Sequence, residues 1–165
     1  MNSLKLPQNP VDAARVRARR LVETTHSRDP FLIAKLLDVD ILNVPGCKKQ
    51  RGAFYVILDQ AFIFLSTRLT ELEMKLVCAH ELGHAVLHKQ LAAEKPLCEY
   101  DLFLRENDTE HEADAFASEI LLDTREVRES IDSGMDIYEC ARALGTDVRL
   151  LQVKLEGMKQ LKNRL

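Results

Sequence analysis

Several absences narrow this sequence before any motif is reached. Its cysteines, Cys47, Cys78, Cys98 and Cys140, form no CxxC pair, and the opening MNSLKLPQNP contains no continuous apolar stretch of a secretory leader. Both features lead us to expect a reduced, cytoplasmic protein. The longest apolar runs are as short as AFIFL at 61–65, far below the ~20 residues that a membrane-spanning helix needs. A soluble chain without a membrane segment is therefore expected. There is no excess of positive charge: 23 Lys and Arg stand against 26 Asp and Glu, a net charge of -3, so the chain lacks the general basic field of a nonspecific nucleic-acid binder. Repeats and low-complexity tracts are missing too. With 165 residues, 46% hydrophobic and 30% charged, the chain can build a core but has no visible linker between two ordinary domains, which predicts one domain over 1–165.

The order of elements follows from periodicity and capping residues. Val11, Ala14, Ala18, Leu21 and Val22 recur at helical spacing with arginines between them, which predicts an N-terminal helix within 1–28. Asp29 followed by Pro30 is a cap with proline at the first helical position, and FLIAKLL carries a second helix to about Asp38. DILNVPG, GAFYVIL and AFIFLS are rich in β-branched and aromatic residues and read as three strands, the last two a hairpin across Asp59 and Gln60. Thr70 with Glu73 forms a capping box that opens a helix to about Lys89. The stretch from Gln90 to Asp108, which contains Pro96, reads as a loop or broken helix. Further helix starts are expected at Thr109 with Glu112, Asp123 with Glu126, Asp136 with Glu139, and Thr146, with stops at Gly134 and Gly145. Two helices, a small sheet and then helices make an α+β chain with a helical tail over 124–165.

Chemistry concentrates in AHELGHAVLH, residues 79–88. On a helix His80 and His84 are one turn apart and about 40° apart in rotation, so both imidazoles can reach one ion. Glu81 lies ~100° round from His80 and stands beside such an ion without ligating it, free to act as general base. An ordinary amphipathic helix, with an apolar stripe of Leu72, Leu76, Ala79, Gly83, Val86 and Leu87, would also carry these histidines along its border. What separates the two readings is a third ligand, because catalytic zinc needs three protein ligands and an open position for water.

TEHEADAFASEILL offers one. Glu110, Asp114, Ala117 and Leu121 share a stripe with Ala113 and Ile120 beside it, so two carboxylates head a face expected to be buried. Like charges at i and i+4 repel, and burying them unpaired is costly. A cation removes both objections, with Glu110 as third ligand and Asp114 hydrogen-bonded to the outer nitrogen of a ligand histidine. Glu112 is the rival ligand, yet its place in the Thr109 capping box and its direction, about 160° from Asp114, favour a capping duty. His111 is also rotated off the stripe. His88, about 12 Å along the axis from His80, cannot share one ion with both other histidines. The longer HExxHxxGxxH pattern is absent, since Leu87 and Gln90 occupy its glycine and last histidine positions.

With AHELGHAVLH, the later Glu110, Ala113, Asp114, Phe116 and Ala117 followed by Leu121 and Leu122, a small sheet before them and a helical tail after them, the chain resembles the ImmA/IrrE family of metallopeptidases from about Pro30 onward. One departure is LLDT at 121–124 where the family usually has LLMP; the missing proline affects the exit from that helix and no ligand. The resemblance implies a zincin-like fold, a small β-sheet packed on the HExxH helix, and action on a helix-turn-helix repressor in phage, mobile-element or stress circuits.

The combined expectation is a gluzincin-like endopeptidase with one Zn²⁺ per chain on His80, His84 and Glu110, with Glu81 as base, Asp114 supporting a ligand, and His88, Tyr100, His111 and Tyr138 as candidate substrate or oxyanion contacts. One alternative is an anti-repressor that keeps the metal fold and acts by docking alone. Another is a DNA-binding module: IYECARALGTDVRLLQVKLEGM is spaced like a helix-turn-helix, and Arg149, Lys154, Lys159, Lys162 and Arg164 are basic. Flanking acids dilute that charge and disfavour DNA as a partner.

Overall fold

In a computed structural model of the chain, residue 7 and residues 9–45, 51–94 and 106–162 are described. Along them run α1 (Pro10–Thr25), α2 (Pro30–Leu36), β1 (Val39–Val44), β2 (Gly52–Ile57), β3 (Gln60–Ser66), α3 (Glu71–Leu87), α4 (Lys89–Glu94), α5 (Glu106–Leu121), α6 (Thr124–Asp132), α7 (Ile137–Ala143) and α8 (Val148–Lys162). The fold is α+β. No helix among the described residues is long and apolar enough to cross a membrane.

Local chemistry sets most boundaries. Asp29 accepts from the Phe31 N–H at the start of α2, and the reciprocal capping boxes of Thr70 with Glu73 and Asp136 with Glu139 open α3 and α7. Each satisfies N–H groups that have no partner inside the helix. Gly134 and Gly145 take φ of 83° and 60° after α6 and α7, the left-handed conformation that glycine tolerates best. Three expected boundaries move. α5 starts at Glu106, so Thr109 lies inside the helix and Glu112 is released from capping. The last helix is capped by Asp147, whose Oδ1 accepts from the Leu150 N–H at 2.7 Å, whereas the Thr146 hydroxyl is buried without a partner among the described residues. Within the Gln90 to Asp108 stretch, α4 and the first turn of α5 are helical, and 95–105, with Pro96 and Tyr100, lie outside the described residues.

The sheet order is β1-β3-β2, with β1 parallel and β2 antiparallel to β3. The hairpin turns on Leu58 and Asp59, both at positive φ, one residue earlier than the sequence suggests, with Gln60 already paired to Ile57. β3 is central, so of the two hairpin strands AFIFLS lies inside the sheet and GAFYVIL at its edge. Adjacency in sequence reveals the hairpin but not the side on which β1 joins it. Val39, Phe54, Ala61, Ile63 and Leu65 form a core with Cys78, Leu82 and Ala85 of α3 and with Phe116 and Ile120 of α5. Because α3 is enclosed between the sheet and α5, Cys78–Ala85 is buried almost throughout apart from His80, while Leu72, expected on the apolar stripe, is exposed.

α5 is held on its other sides by α1 and α8. Ala14 and Ala18 of α1 are fully buried, and small side chains let helix backbones approach closely. Lys154 of α8 donates to Glu119 of α5 at 2.7 Å, with side-chain exposures of 1% and 4%, a buried pair that would be costly to break from one side. Arg28 donates to the carbonyls of Glu119 and Ile120 and to the Asp123 carboxylate, which places a cation on the C-terminal end of α5, where it is favoured.

α3 meets the backbone of α5 closely at Gly83. A Cβ there would stand 3.1 Å from Ala113 Cα, 3.2 Å from its carbonyl oxygen and 3.3 Å from its Cβ. Backbone cannot rotate away as a side-chain tip can, so this glycine sets the spacing of α3 and α5. Gly83→Val is expected to destabilise the fold by about 1–3 kcal/mol through overpacking. Urea unfolding measures this; an unchanged midpoint and slope would contradict the close approach.

Candidate metal centre

The crossing of α3 and α5 brings three side chains to one point. His80 Nε2 lies 3.1 Å from Glu110 Oε2, and His84 Nε2 lies 3.1 Å from Glu110 Oε1. The two Nε2 atoms are 3.2 Å apart, and one ligand atom from each residue falls within a common 4.8 Å. Glu110 is the most open of the three, at 40% side-chain exposure, so the cluster is reached from solvent on the α5 side. Two imidazole nitrogens with a carboxylate suit zinc and similar transition metals, whereas magnesium and calcium favour all-oxygen sets.

Each histidine is oriented from behind. Asp114 Oδ1 lies 2.9 Å from His80 Nδ1, the contact expected of Asp114, and its other oxygen accepts from Arg149 of α8 at 2.5 Å. A carboxylate on Nδ1 keeps a proton there and turns Nε2 toward Glu110. His84 Nδ1 faces His88 Nδ1 at 3.0 Å, and His88 Nε2 faces Glu112 Oε2 at 3.3 Å. His88 is therefore buried behind His84 with both ring nitrogens engaged. Glu112 and Arg149 were missed as site residues by the sequence reading. A row of histidines at 80, 84 and 88 facing acids at 110, 112 and 114 was the available signal for Glu112. Nothing in the pattern marks Arg149, which depends on how the tail folds back onto α5.

Glu81 is buried beside the start of β2. A Cβ on Gly52 would run into Val77 Cγ1 and come within 3.2 Å of Glu81 Oε1, so a glycine here lets the strand lie against α3 next to that carboxylate. Of the other candidates, His111 is exposed on α5, Tyr138 is 66% exposed on α7, and Tyr100 lies outside the described residues.

The electrostatics are those of a cation site. Burial works to lower the His80 pKa, but hydrogen bonds to Asp114 and Glu110 outweigh it and raise the value to about 10. In the metal-free chain, hydrogen bonds from His80 and His84 hold the Glu110 carboxyl far below its ordinary range. Burial alone would raise Asp114, yet its contacts with His80 and Arg149 leave it lowered. The Cys78 thiol, by contrast, is pushed up to about 12 mainly by burial, which leaves it unreactive at neutral pH.

An α+β fold that sets an HExxH helix against an acidic helix is the architecture of a metallopeptidase-like protein. Residues 34–156 match the peptidase family described as the IrrE N-terminal-like domain, and the chain belongs to that family. A relative is the "Uncharacterized immunity region protein 2" of Bacillus phage phi105, 24% identical over 156 residues that cover 94% of this chain and 96% of the relative. α1 precedes the matched span but packs directly on α5, so it supports the helix that carries Glu110.

In the metal-free chain, the raised His80 pKa contributes stability that is fully present below its ordinary value of 6.5 and lost as pH rises toward about 10. Glu110 and Asp114, both lowered, lose their contribution only on the acid side and do not vary across this window. Melting temperatures of metal-free protein should therefore fall between these limits, and His80→Gln should flatten the fall. An equal slope in the variant would contradict the assignment.

Proposed function

We propose that the chain is a zinc-dependent endopeptidase that cleaves a transcriptional repressor or similar regulatory protein, relieving repression in a phage, mobile-element or stress circuit. The observation that carries the reading is the convergence of His80, His84 and Glu110 within 4.8 Å, with Glu81 next in sequence to the first of them. His80, His84 and Glu110 would hold one zinc ion per chain. When bound, zinc supplies a Lewis acid for the scissile carbonyl and lowers the pKa of water to about 7. Glu81 takes the proton from the attacking water and delivers it to the leaving amine, which its burial beside Gly52 suits. Asp114 holds the His80 ring, and Arg149 holds Asp114.

The regulatory substrate is supported by the relative's place in a phage immunity region. Docking without cleavage is the alternative, and the presence of Glu81 with a complete ligand set favours the enzyme. DNA binding is less favoured, because Arg149 is engaged with Asp114 and Lys154 with Glu119, which takes two of the tail's cations out of play.

A peptide must lie extended for one bond to meet the attacking water, and a free strand edge offers backbone partners without demanding a sequence. With β3 central, β1 and β2 are the edges among the described residues, and β2 is the one whose first residue adjoins Glu81. Substrate would add along β2, flanked by α4, which packs against the same strand.

His84→Ala and Glu110→Ala should lose the metal while wild type binds about one equivalent, measured by elemental analysis. Metal retained by Glu110→Ala but lost by Glu112→Ala would transfer the ligand role. Glu81→Gln should keep fold and metal yet cleave a helix-turn-helix repressor encoded beside its gene about 10²–10⁴-fold more slowly. Wild-type turnover would remove Glu81 as the base, and repressor inactivation by the variant without cleavage would favour docking. A bound peptide found away from β2 would refute the edge placement alone.

A further inference from the structure

We propose that His88 and Glu112 form a positioning relay that fixes the tautomer of His84, so that its Nε2 is presented bare to the metal. The inference rests on the zinc-site reading above and extends it to two residues which that reading does not use. His84 is asymmetric in its surroundings: Nε2 faces His80 and Glu110, while Nδ1 faces His88 Nδ1 at 3.0 Å. Two imidazole nitrogens at that distance share one proton, because two lone pairs repel and two N–H groups clash.

Two arrangements are available to neutral rings. In the first, His84 Nδ1–H donates to His88 Nδ1, His84 Nε2 is bare, and His88 carries its own proton on Nε2, which donates to the Glu112 carboxylate at 3.3 Å. In the second, His88 Nδ1–H donates to His84 Nδ1. The His84 proton then sits on Nε2 at the point where the ligand atoms converge, and His88 turns a bare Nε2 toward an anionic oxygen. Without an ion, Glu110 Oε1 at 3.1 Å from His84 Nε2 accepts a proton there; with an ion held between them that acceptor is taken up, and Glu112, acceptor only, opposes the second arrangement. A negative charge on α5 thus selects, through His88, which nitrogen of His84 is free.

The surroundings suit this duty. His88 and Glu112 have side-chain exposures of 5% and 18%, so water competes little for these hydrogen bonds. His88 follows the last turn of α3, where its N–H is bonded to the His84 carbonyl at 2.8 Å. The ring is thereby fixed by the same turn as the ligand it supports. Asp114 does for His80 in one step what Glu112 does for His84 in two.

Zinc affinity of the full chain, measured by competition with a chromogenic chelator, tests the relay without requiring a substrate. His88→Phe fills the ring volume but offers no acceptor, and is expected to weaken zinc about 10–100-fold, the usual scale for losing such support. His88→Asn, whose side-chain oxygen can stand near the Nδ1 position, should recover most of the loss, which a purely space-filling role would not predict. Glu112→Leu, on a partly open face of α5, should also weaken zinc and serves if His88→Phe fails to fold. In zinc-loaded wild type, nitrogen NMR of labelled histidine should show the His88 proton on Nε2 and its Nδ1 bare. Wild-type affinity in folded His88→Phe or in Glu112→Leu, or a His88 proton on Nδ1, would overturn the relay. Failure of the wild-type chain to bind zinc would overturn the site reading itself, a separate result.

Discussion

The closest approach of α3 and α5, where Gly83 meets the Ala113 backbone, is the constraint on which the rest of this structure depends. The ligand atoms of His80, His84 and Glu110 are 3.1–3.2 Å apart, and displacing one helix by the width of a methyl group would separate them. The same approach places Asp114 on His80 and Glu112 on His88. Two backbones, rather than the long side chains they carry, determine whether these groups form a metal site or a loose set of surface charges.

Maintaining that approach explains why α5 is surrounded. Fully buried alanines of α1 contact it on one side, and α8 holds it on another through the Lys154–Glu119 pair and Leu150 packed with Ala117 and Ala79. Arg149, on the turn before Lys154, reaches Asp114. The helical tail thus contributes both to fixing α5 and to orienting His80, so residues far from HELGH in sequence belong to the physics of the site. The sheet supports α3 from the opposite side, and Gly52 allows β2 to lie close to Glu81.

Much of this was legible in the sequence where the determinants are local. The capping boxes at Thr70 and Asp136, the proline after Asp29 and the glycines after α6 and α7 announce themselves, because each acts within a few residues. The pairing of HELGH with Glu110 and Asp114 was also legible, since two carboxylates on a buried helix face demand a cation. What was not legible depended on long-range placement. Whether β3 is an edge turns on which side β1 joins the hairpin. Thr109 resembles a cap only if the residues before it are not helical. Glu112 points away from Asp114 on an isolated helix, and only the crossing angle with α3 gives it His88 as a partner.

The most direct test is the identity of the atoms around the bound ion. X-ray absorption at the zinc edge of the loaded, full-length chain reads ligand type without a substrate or a mutant. The expected spectrum contains nitrogen and oxygen scatterers with the outer-shell signature of two imidazole rings and no sulfur. A sulfur contribution, or fewer than two imidazoles, would contradict the site formed by His80, His84 and Glu110.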